Sequence, residues 1–321
     1  MPADIAAPLT LTVVRKSQIA DDIFMFELRD PSGAQLPPFS PGAHITVTAP
    51  SGQKRRYSLC NDSEDRDRYV IAIKQEKAGR GGSLSITTGV KEGSTLQVDQ
   101  PNNEFELSPH EPKSYVFIAG GIGITPIRSM IRRLASLGKE NFKLFYFTRT
   151  PSMMAFRDEF RAAEFSGKVV LHHDDGDPAK AFDLWPVLEE QRGAHLYCCG
   201  PRGLMDSVRD MTGHWPDSAV HFEDFVGATA NRPEDTAFTV RLSRSGKCYD
   251  IAPGVSILDT LRKHGHVVPS SCESGTCGTC RTRFSAGEPD HRDLVLSDHE
   301  KRTDIMICVS RSKTPELALD L

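Results

Sequence analysis

The chain has 321 residues, room for two or three domains at roughly 100–200 residues each, which excludes a single small binding module. With 38% hydrophobic and 26% charged residues and a mean hydropathy of -0.37, it reads as folded throughout and not as a disordered or fibrous chain. A formal net charge of -4, with 39 Lys and Arg spread along the sequence, gives no electrostatic footprint for nucleic acid or an anionic membrane.

No apolar run approaches the roughly 18 residues of a spanning helix, and the start MPADIAAPLT lacks the regions of a secretory signal. The expected compartment is the cytoplasm. There, eight cysteines point to metal or redox chemistry before disulfides.

Residues 1–108 read as short strands at Leu9 to Val14, Ile23 to Leu28, His44 to Thr48, Tyr69 to Lys74 and Thr95 to Val98. Turn clusters such as Asp30-Pro31-Ser32-Gly33 separate them, which predicts a small antiparallel β-barrel. Over 109–226 strands alternate with helices. Tyr115 to Ala119 leads into a glycine turn, and Ile127, Met130, Ile131, Leu134 and Leu137 follow at helical spacing. Further strands are predicted at Lys143 to Phe147, Lys168 to His172, His195 to Cys198 and Ala219 to Phe222. Helices are predicted at Met153 to Ala163, Asp183 to Gln191 and Arg202 to Met211. Five strands with intervening helices predict an α/β doubly wound sheet.

The polar, aperiodic segment 227–236 reads as a linker. Residues 237–321 form a third, α+β domain. Its hairpin pairs Phe238 to Leu242 with Cys248 to Ile251, and Ser256 with Asp259 makes a capping box opening a helix at Ile257 to Lys263. The chain is thus multidomain.

Cys272, Cys277 and Cys280, at gaps of four and two residues, with Cys308 further on, have the plant-type ligand spacing for a 2Fe-2S cluster. Each iron completes its tetrahedron with two thiolates. A structural zinc site is the alternative, but zinc ribbons usually show two close pairs, and only Cys277 with Cys280 forms one here. Cys60 and Cys248 lack ligand-like neighbours and read as small apolar residues.

Arg55-Arg56-Tyr57-Ser58 closes a strand and offers guanidiniums for a phosphate, an aromatic face for a flat ring and a hydroxyl beside it. Gly79-Arg80-Gly81-Gly82-Ser83 is a second phosphate candidate, with a solvated turn as the bland reading of both. Gly120-Gly121-Ile122-Gly123-Ile124-Thr125-Pro126 lies between strand and helix, where a pyrophosphate could approach bare backbone. It departs from the dinucleotide fingerprint at Pro126 and reads equally as a tight turn. Cys199-Gly200-Pro201 similarly joins a strand to a helix.

In this order, Arg-x-Tyr-Ser, Gly-Gly-x-Gly-x-x-Pro and Cys-Gly-Pro resemble the ferredoxin reductase superfamily of flavoenzymes. With the cysteine domain last, the chain is similar over essentially its whole length to the class IA oxygenase reductases. That resemblance implies an FMN-binding β-barrel, a nicotinamide domain and a β-grasp ferredoxin domain, with electrons passing from NADH to FMN to the 2Fe-2S cluster. The terminal acceptor it implies is a separate Rieske-type aromatic-ring dioxygenase, with the reductase a monomer. Electron counting requires a carrier able to hold one electron between them, because nicotinamide gives two electrons and a cluster takes one, and a flavin does this.

The resemblance further implies that Arg55 contacts the flavin phosphate, Tyr57 packs on the ring and the Ser58 hydroxyl sits near its reactive nitrogen, with Arg56 at the variable position. Ala72, Ile73 and Lys74 would contact the pyrimidine side, and Gly81, Gly82 and Ser83 the phosphate. Gly120, Gly121, Gly123 and Thr125 would line the nicotinamide site, with Cys199 and Gly200 near the point of hydride transfer. Phe225 would shield the flavin face; its bland reading is a core or linker-anchoring phenylalanine. Thr148 and Arg149 stand where the adenine ribose is discriminated, and an arginine there could accept a 2′-phosphate, whereas the resemblance favours NADH; Asp174 and Asp175 are further ribose candidates, with solvated loop residues as their bland reading. The rival reading is a non-catalytic metal-binding or redox-sensing protein.

Overall fold

A computed structural model describes residues 7–77, 81–225, 232, 234–270, 273, 275 and 278–321. The chain divides into two compact units, Met1–Phe225 and Val226–Leu321.

Leu9–Ala20 (β1), Ile23–Arg29 (β2), His44–Thr48 (β3), Lys54–Ser58 (β4), Tyr69–Lys74 (β5) and Thr95–Val98 (β6) form an antiparallel sheet in the order β4-β3-β6-β1-β2-β5. Alternate residues such as Leu11, Val13, Phe26, Leu28, Ile45 and Val47 point inward and fill the barrel. The sheet closes where Leu59 bridges Ile71 and the Cys60 amide donates to the Val70 carbonyl at 2.9 Å. Strand β1 continues well past Val14 because Arg15 to Ala20 pair with Ile23 to Glu27 of β2, and the Lys16 ammonium donates to the Thr87 and Val90 carbonyls (2.6 and 2.8 Å) at the end of helix Gly82–Gly89 (α1).

Ser114–Gly120 (β7), Phe142–Thr148 (β8), Val169–His173 (β9), Ala194–Cys199 (β10) and Val220–Glu223 (β11) make a parallel sheet in the order β11-β10-β7-β8-β9. This is the predicted doubly wound sheet, and its order reverses between β7 and β10. Helix Ile124–Ser136 (α2) covers one face, where Phe117, Ile127 and Ile131 share a core with Ile23, Ala72 and Phe105 of the barrel side. Helix Arg202–Thr212 (α5) packs Met205 and Val208 on the other face.

Two predicted helices are much shorter than expected. Met153 to Ala163 contains only Arg157–Phe160 (α3), because Phe156 takes the left-handed φ of 57° and a continuous helix cannot pass through it. Asp183 to Gln191 contains only Trp185–Leu188 (α4), begun at Pro186 in its first turn.

In the second unit, Phe238–Leu242 (β12), Cys248–Ile251 (β13), Arg281–Ala286 (β14), Pro289–Asp290 (β15), Asp304–Met306 (β16), Arg311–Ser312 (β17) and Glu316–Leu319 (β18) surround helix Ile257–Lys263 (α6). The main sheet runs β13-β12-β18-β14-β16, with β12 and β18 parallel. The hairpin pairs Val240 with Tyr249 as expected, and the Asp259 amide donates to Ser256 Oγ at 2.9 Å. Of the predicted linker, residues 227–231 and 233 lie outside the described residues. Asp235 is packed into this unit: Arg292 donates to it at 2.6 Å, and both side chains are buried.

Candidate active site

β4 and β5 are the two ends of the barrel sheet, and their ladder stops at the Leu59–Ile71 bridge. Continuing that antiparallel register would set Ser58 opposite Ala72, Tyr57 opposite Ile73 and Arg56 opposite Lys74. The barrel therefore has an open seam flanked by the two segments expected to hold a flat ring. The Ile73 side chain is buried in the barrel core, and Ala72 packs in the core shared with α2. What β5 offers the seam is main chain. Lys74 is exposed and paired with Glu76 at 2.8 Å.

At one end of the seam stands the start of α1. A Cβ on Gly82 would lie 2.9 Å from Arg55 Nε, so the bare backbone of α1 lies against the arginine. Helix N-terminal amides beside a guanidinium form an anion cradle. Arg55 donates to the Lys54 carbonyl at 2.7 Å and to Gln53 Oε1 at 3.0 Å. Ser83 Oγ accepts from the Glu76 amide at 3.1 Å, while Gly81 precedes the helix with a φ of 85°. Gly79 and Arg80 lie outside the described residues. Arg56 is turned to Glu104 at 3.0 Å and is not part of the cradle.

Tyr57 Oη is buried and has no hydrogen-bond partner among the described residues. Burial raises the phenol well above its ordinary range. A buried polar atom of this kind calls for a partner, which a group bound in the seam would supply. The open seam, the orphaned hydroxyl and the anion cradle fit a phosphorylated flavin.

The second half of the site is the switch point of the parallel sheet. Ala119 of β7 pairs with Cys199 of β10, so Gly120 and Gly200 emerge side by side where ligands bind in open α/β sheets. Gly121–Gly123 turn tightly into α2. Thr125 is buried and its hydroxyl donates to the Ile122 carbonyl at 3.0 Å, so it braces this turn. Cys199 is fully buried. Burial, reinforced by the nearby Glu223 carboxyl, raises its thiol well above the ordinary value. Thr148 Oγ1 bonds His173 Nδ1 at 2.9 Å, while Arg149 is exposed and its stem lies beside Gly176. Asp174 accepts from the Gly176 amide, and Asp175 pairs with Lys180, each at 2.8 Å.

The two halves meet through a residue that the sequence reading passed over. The Ser58 hydroxyl donates to Glu223 Oε2 at 3.4 Å, joining the end of β4 to the end of β11. Burial pushes the Glu223 carboxyl up to about 8, although Arg56 and the Ser58 bond oppose it. Phe225, two residues on, is 39% exposed, so its reading as a core phenylalanine does not hold.

In the second unit, Cys280 and Cys308 are both buried in one hydrophobic core with Leu258, Ile307 and Val309. Cys272 and Cys277 lie outside the described residues. Thiol donors in an apolar setting suit an iron-sulfur cluster. Cys60 is buried and its thiol lies 3.3 Å from the Val70 carbonyl, as befits a packing residue; Cys248 is exposed.

A barrel with Arg55 against the start of α1, a parallel-sheet switch point joined to it through Ser58 and Glu223, and a cysteine-bearing domain are the parts of a flavin- and nicotinamide-dependent electron-transfer reductase. Comparison with known proteins agrees. Residues 10–107 match the oxidoreductase FAD-binding domain, 117–210 the oxidoreductase NAD-binding domain and 240–313 the 2Fe-2S iron-sulfur cluster binding domain. The chain is 55% identical to phthalate dioxygenase reductase of Burkholderia cepacia, covering 98% of this chain and 97% of the relative. It is 51% identical to the phthalate 4,5-dioxygenase oxygenase reductase subunit of Pseudomonas putida, over 97% and 96%. A solved structure of phthalate dioxygenase reductase, described as modular for electron transfer from pyridine nucleotides to 2Fe-2S, superposes with a TM-score of 0.91 at 54% identity, covering 98% of each chain. The chain belongs to the phthalate dioxygenase reductase family. It is an oxidoreductase. No helix among the described residues is long and apolar enough to cross a membrane.

Proposed function

We propose that this chain takes electrons from NADH at the crevice between seam and switch point and delivers them, through FMN and the cluster of Cys272, Cys277, Cys280 and Cys308, to a Rieske-type aromatic-ring dioxygenase. The acceptor proposed is of the phthalate dioxygenase kind, as in the relatives' names. The observation that carries the reading is the Ser58–Glu223 contact, which brings the barrel's Arg-x-Tyr-Ser strand to the mouth of the parallel sheet.

When bound, the flavin accepts two electrons as hydride and releases them singly. The protein's own residues supply the rest. Arg55 and the first amides of α1 would hold the flavin phosphate, and FMN is the flavin that the resemblance to the class IA oxygenase reductases implies. Tyr57 and the main chain of Ala72, Ile73 and Lys74 flank the ring. Neutral Glu223 and Ser58 keep a proton at Ser58 Oγ or Glu223 Oε2 without placing a negative charge where hydride must arrive. Gly120, Gly121, Gly123 and Gly200 leave backbone bare for the dinucleotide, with Thr148 and Arg149 toward its adenosine end. Onward transfer is downhill, since plant-type clusters lie near about -400 mV and Rieske centres well above that.

The test is a visible spectrum of the purified protein under argon. Flavin and iron-sulfur bands that bleach on adding NADH, faster than with NADPH, and recover on adding a Rieske dioxygenase support the reading. A colourless protein, or one indifferent to NADH, overturns it.

A further inference from the structure

We infer that Arg128, Ser129 and Glu159 are positioning residues that set the spacing between helix α2 and the flavin-facing end of β4. The inference rests on the reading that nicotinamide binds at α2 and flavin in the seam.

Arg128 and Ser129 are adjacent on α2, and both are buried, Ser129 completely. Arg128 Nη1 donates to the Cys60 carbonyl, and Ser129 Oγ donates to the Asn61 carbonyl at 2.8 Å. Two consecutive helix residues thus hold two consecutive carbonyls of the strand exit, beginning two residues after Ser58. The same short segment closes the barrel. The Cys60 amide donates to Val70 at 2.9 Å, the Val70 amide donates to Asn61 Oδ1 at 2.9 Å, and Asn61 Nδ2 donates to Arg68 at 3.2 Å. Residues 59–61 are therefore fastened to β5 on one side and to α2 on the other. Seam and helix take their spacing from one piece of backbone.

The guanidinium is itself held from behind. Arg128 Nη2 and Nε lie 2.8 and 2.9 Å from Glu159 Oε2, and Arg132 Nη2 lies 2.9 Å from Glu159 Oε1. The guanidinium lies over the Phe156 ring, 4.3 Å from its centroid, and Phe156 is the residue whose left-handed backbone shortens α3. A bidentate, stacked arginine has little freedom to rotate. A misplacement of about 1 Å between reacting groups can cost on the order of 100-fold in rate, so bonds that fix this spacing act on the reaction while touching neither substrate nor cofactor.

The test uses the full-length holoprotein with Ser129→Ala and Arg128→Lys, the lysine keeping a cation for Glu159 but unable to bridge it to Cys60. Anaerobic stopped-flow with varied NADH gives the limiting rate of flavin reduction per bound flavin and the nicotinamide Kd separately. The expected result is a limiting rate lowered about tenfold or more in Ser129→Ala, with Kd within about twofold, and a smaller loss in Arg128→Lys. Faster amide exchange at Leu59 and Cys60 accompanies it. A strut with only a structural role lowers the melting temperature or flavin content but leaves the rate per bound flavin unchanged, and that result in both variants overturns the inference. Should Ser129→Ala not fold, Arg128→Lys decides alone. A parent protein that NADH does not reduce defeats the underlying reading instead.

Discussion

Gly123 lies against the end of β10 so closely that a Cβ on it would stand 2.1 Å from the carbonyl oxygen of Cys199. The obstacle is backbone in a sheet, not the end of a flexible side chain. Gly123→Ala must therefore lift the turn away from the switch point. Overpacking of this kind costs about 1–3 kcal/mol, and the lifted turn misplaces the amides that a dinucleotide needs. The expected outcome is a lower melting temperature and a raised KM for NADH with flavin content retained. An unchanged KM removes the turn from the nicotinamide site.

Arg55→Ala removes the guanidinium that faces the start of α1. A hydrogen bond to a charged group contributes about 1.5–3 kcal/mol, so flavin dissociation should become about 10- to 150-fold easier. Flavin absorbance after exhaustive dialysis of variant and parent measures it. Equal retention assigns the phosphate to other residues.

The raised carboxyl of Glu223 makes stability depend on pH with a definite sign. Its value in the folded protein, about 8, exceeds the ordinary 4.5, so the native state binds this proton more tightly than the unfolded chain does. Its contribution is complete below about pH 4.5 and is lost as pH rises through about 8. Glu223→Gln cannot ionise and should flatten that part of the profile, which denaturant midpoints from pH 5 to 8.5 will reveal. Parallel profiles for both proteins place the pH dependence elsewhere.

What the sequence disclosed was whatever is local. Ligand spacing at Cys272, Cys277 and Cys280, the tetrapeptide ending at Ser58 and the glycines from Gly120 to Gly123 are each contained in a few residues, and the strands that flank them alternate clearly. Glu223 escaped notice because its chemistry depends on β11 ending opposite a strand 165 residues earlier. Arg128 and Ser129 sit among Ile127, Met130 and Ile131, so the helical period reads that stretch as core and hides the polar bonds within it. The overlong helix expected at Met153 to Ala163 failed for a related reason: propensity does not register the left-handed backbone of Phe156, whose ring lies under the Arg128 guanidinium.

Cys280 and Cys308 share a buried core, so replacing one thiol affects both the cluster and the domain around it. In Cys280→Ser the cluster absorbance should be lost and the second unit should melt earlier, because ligand binding is part of its folding energy. Flavin reduction by NADH should persist, since Ser58, Cys199 and Glu223 belong to the other unit. Cytochrome c reduction at the parent's rate with an intact cluster spectrum excludes Cys280 as a ligand.

Phe225 is 39% exposed and follows Glu223 by two residues, so the register that brings Glu223 to Ser58 leaves an aromatic side chain close by in sequence and outside the core. If that ring covers the flavin where nicotinamide must stack, each turnover displaces it, and recognition of the correct ribose offsets the cost. Phe225→Ser removes the cost for both nucleotides. Binding of NADH and NADPH should then tighten, the discrimination between them should shrink by about tenfold, and product release should slow. Stopped-flow flavin reduction with each nucleotide measures all three quantities. Unchanged affinities and rates for both nucleotides would leave Phe225 as an exposed side chain with no part in shielding.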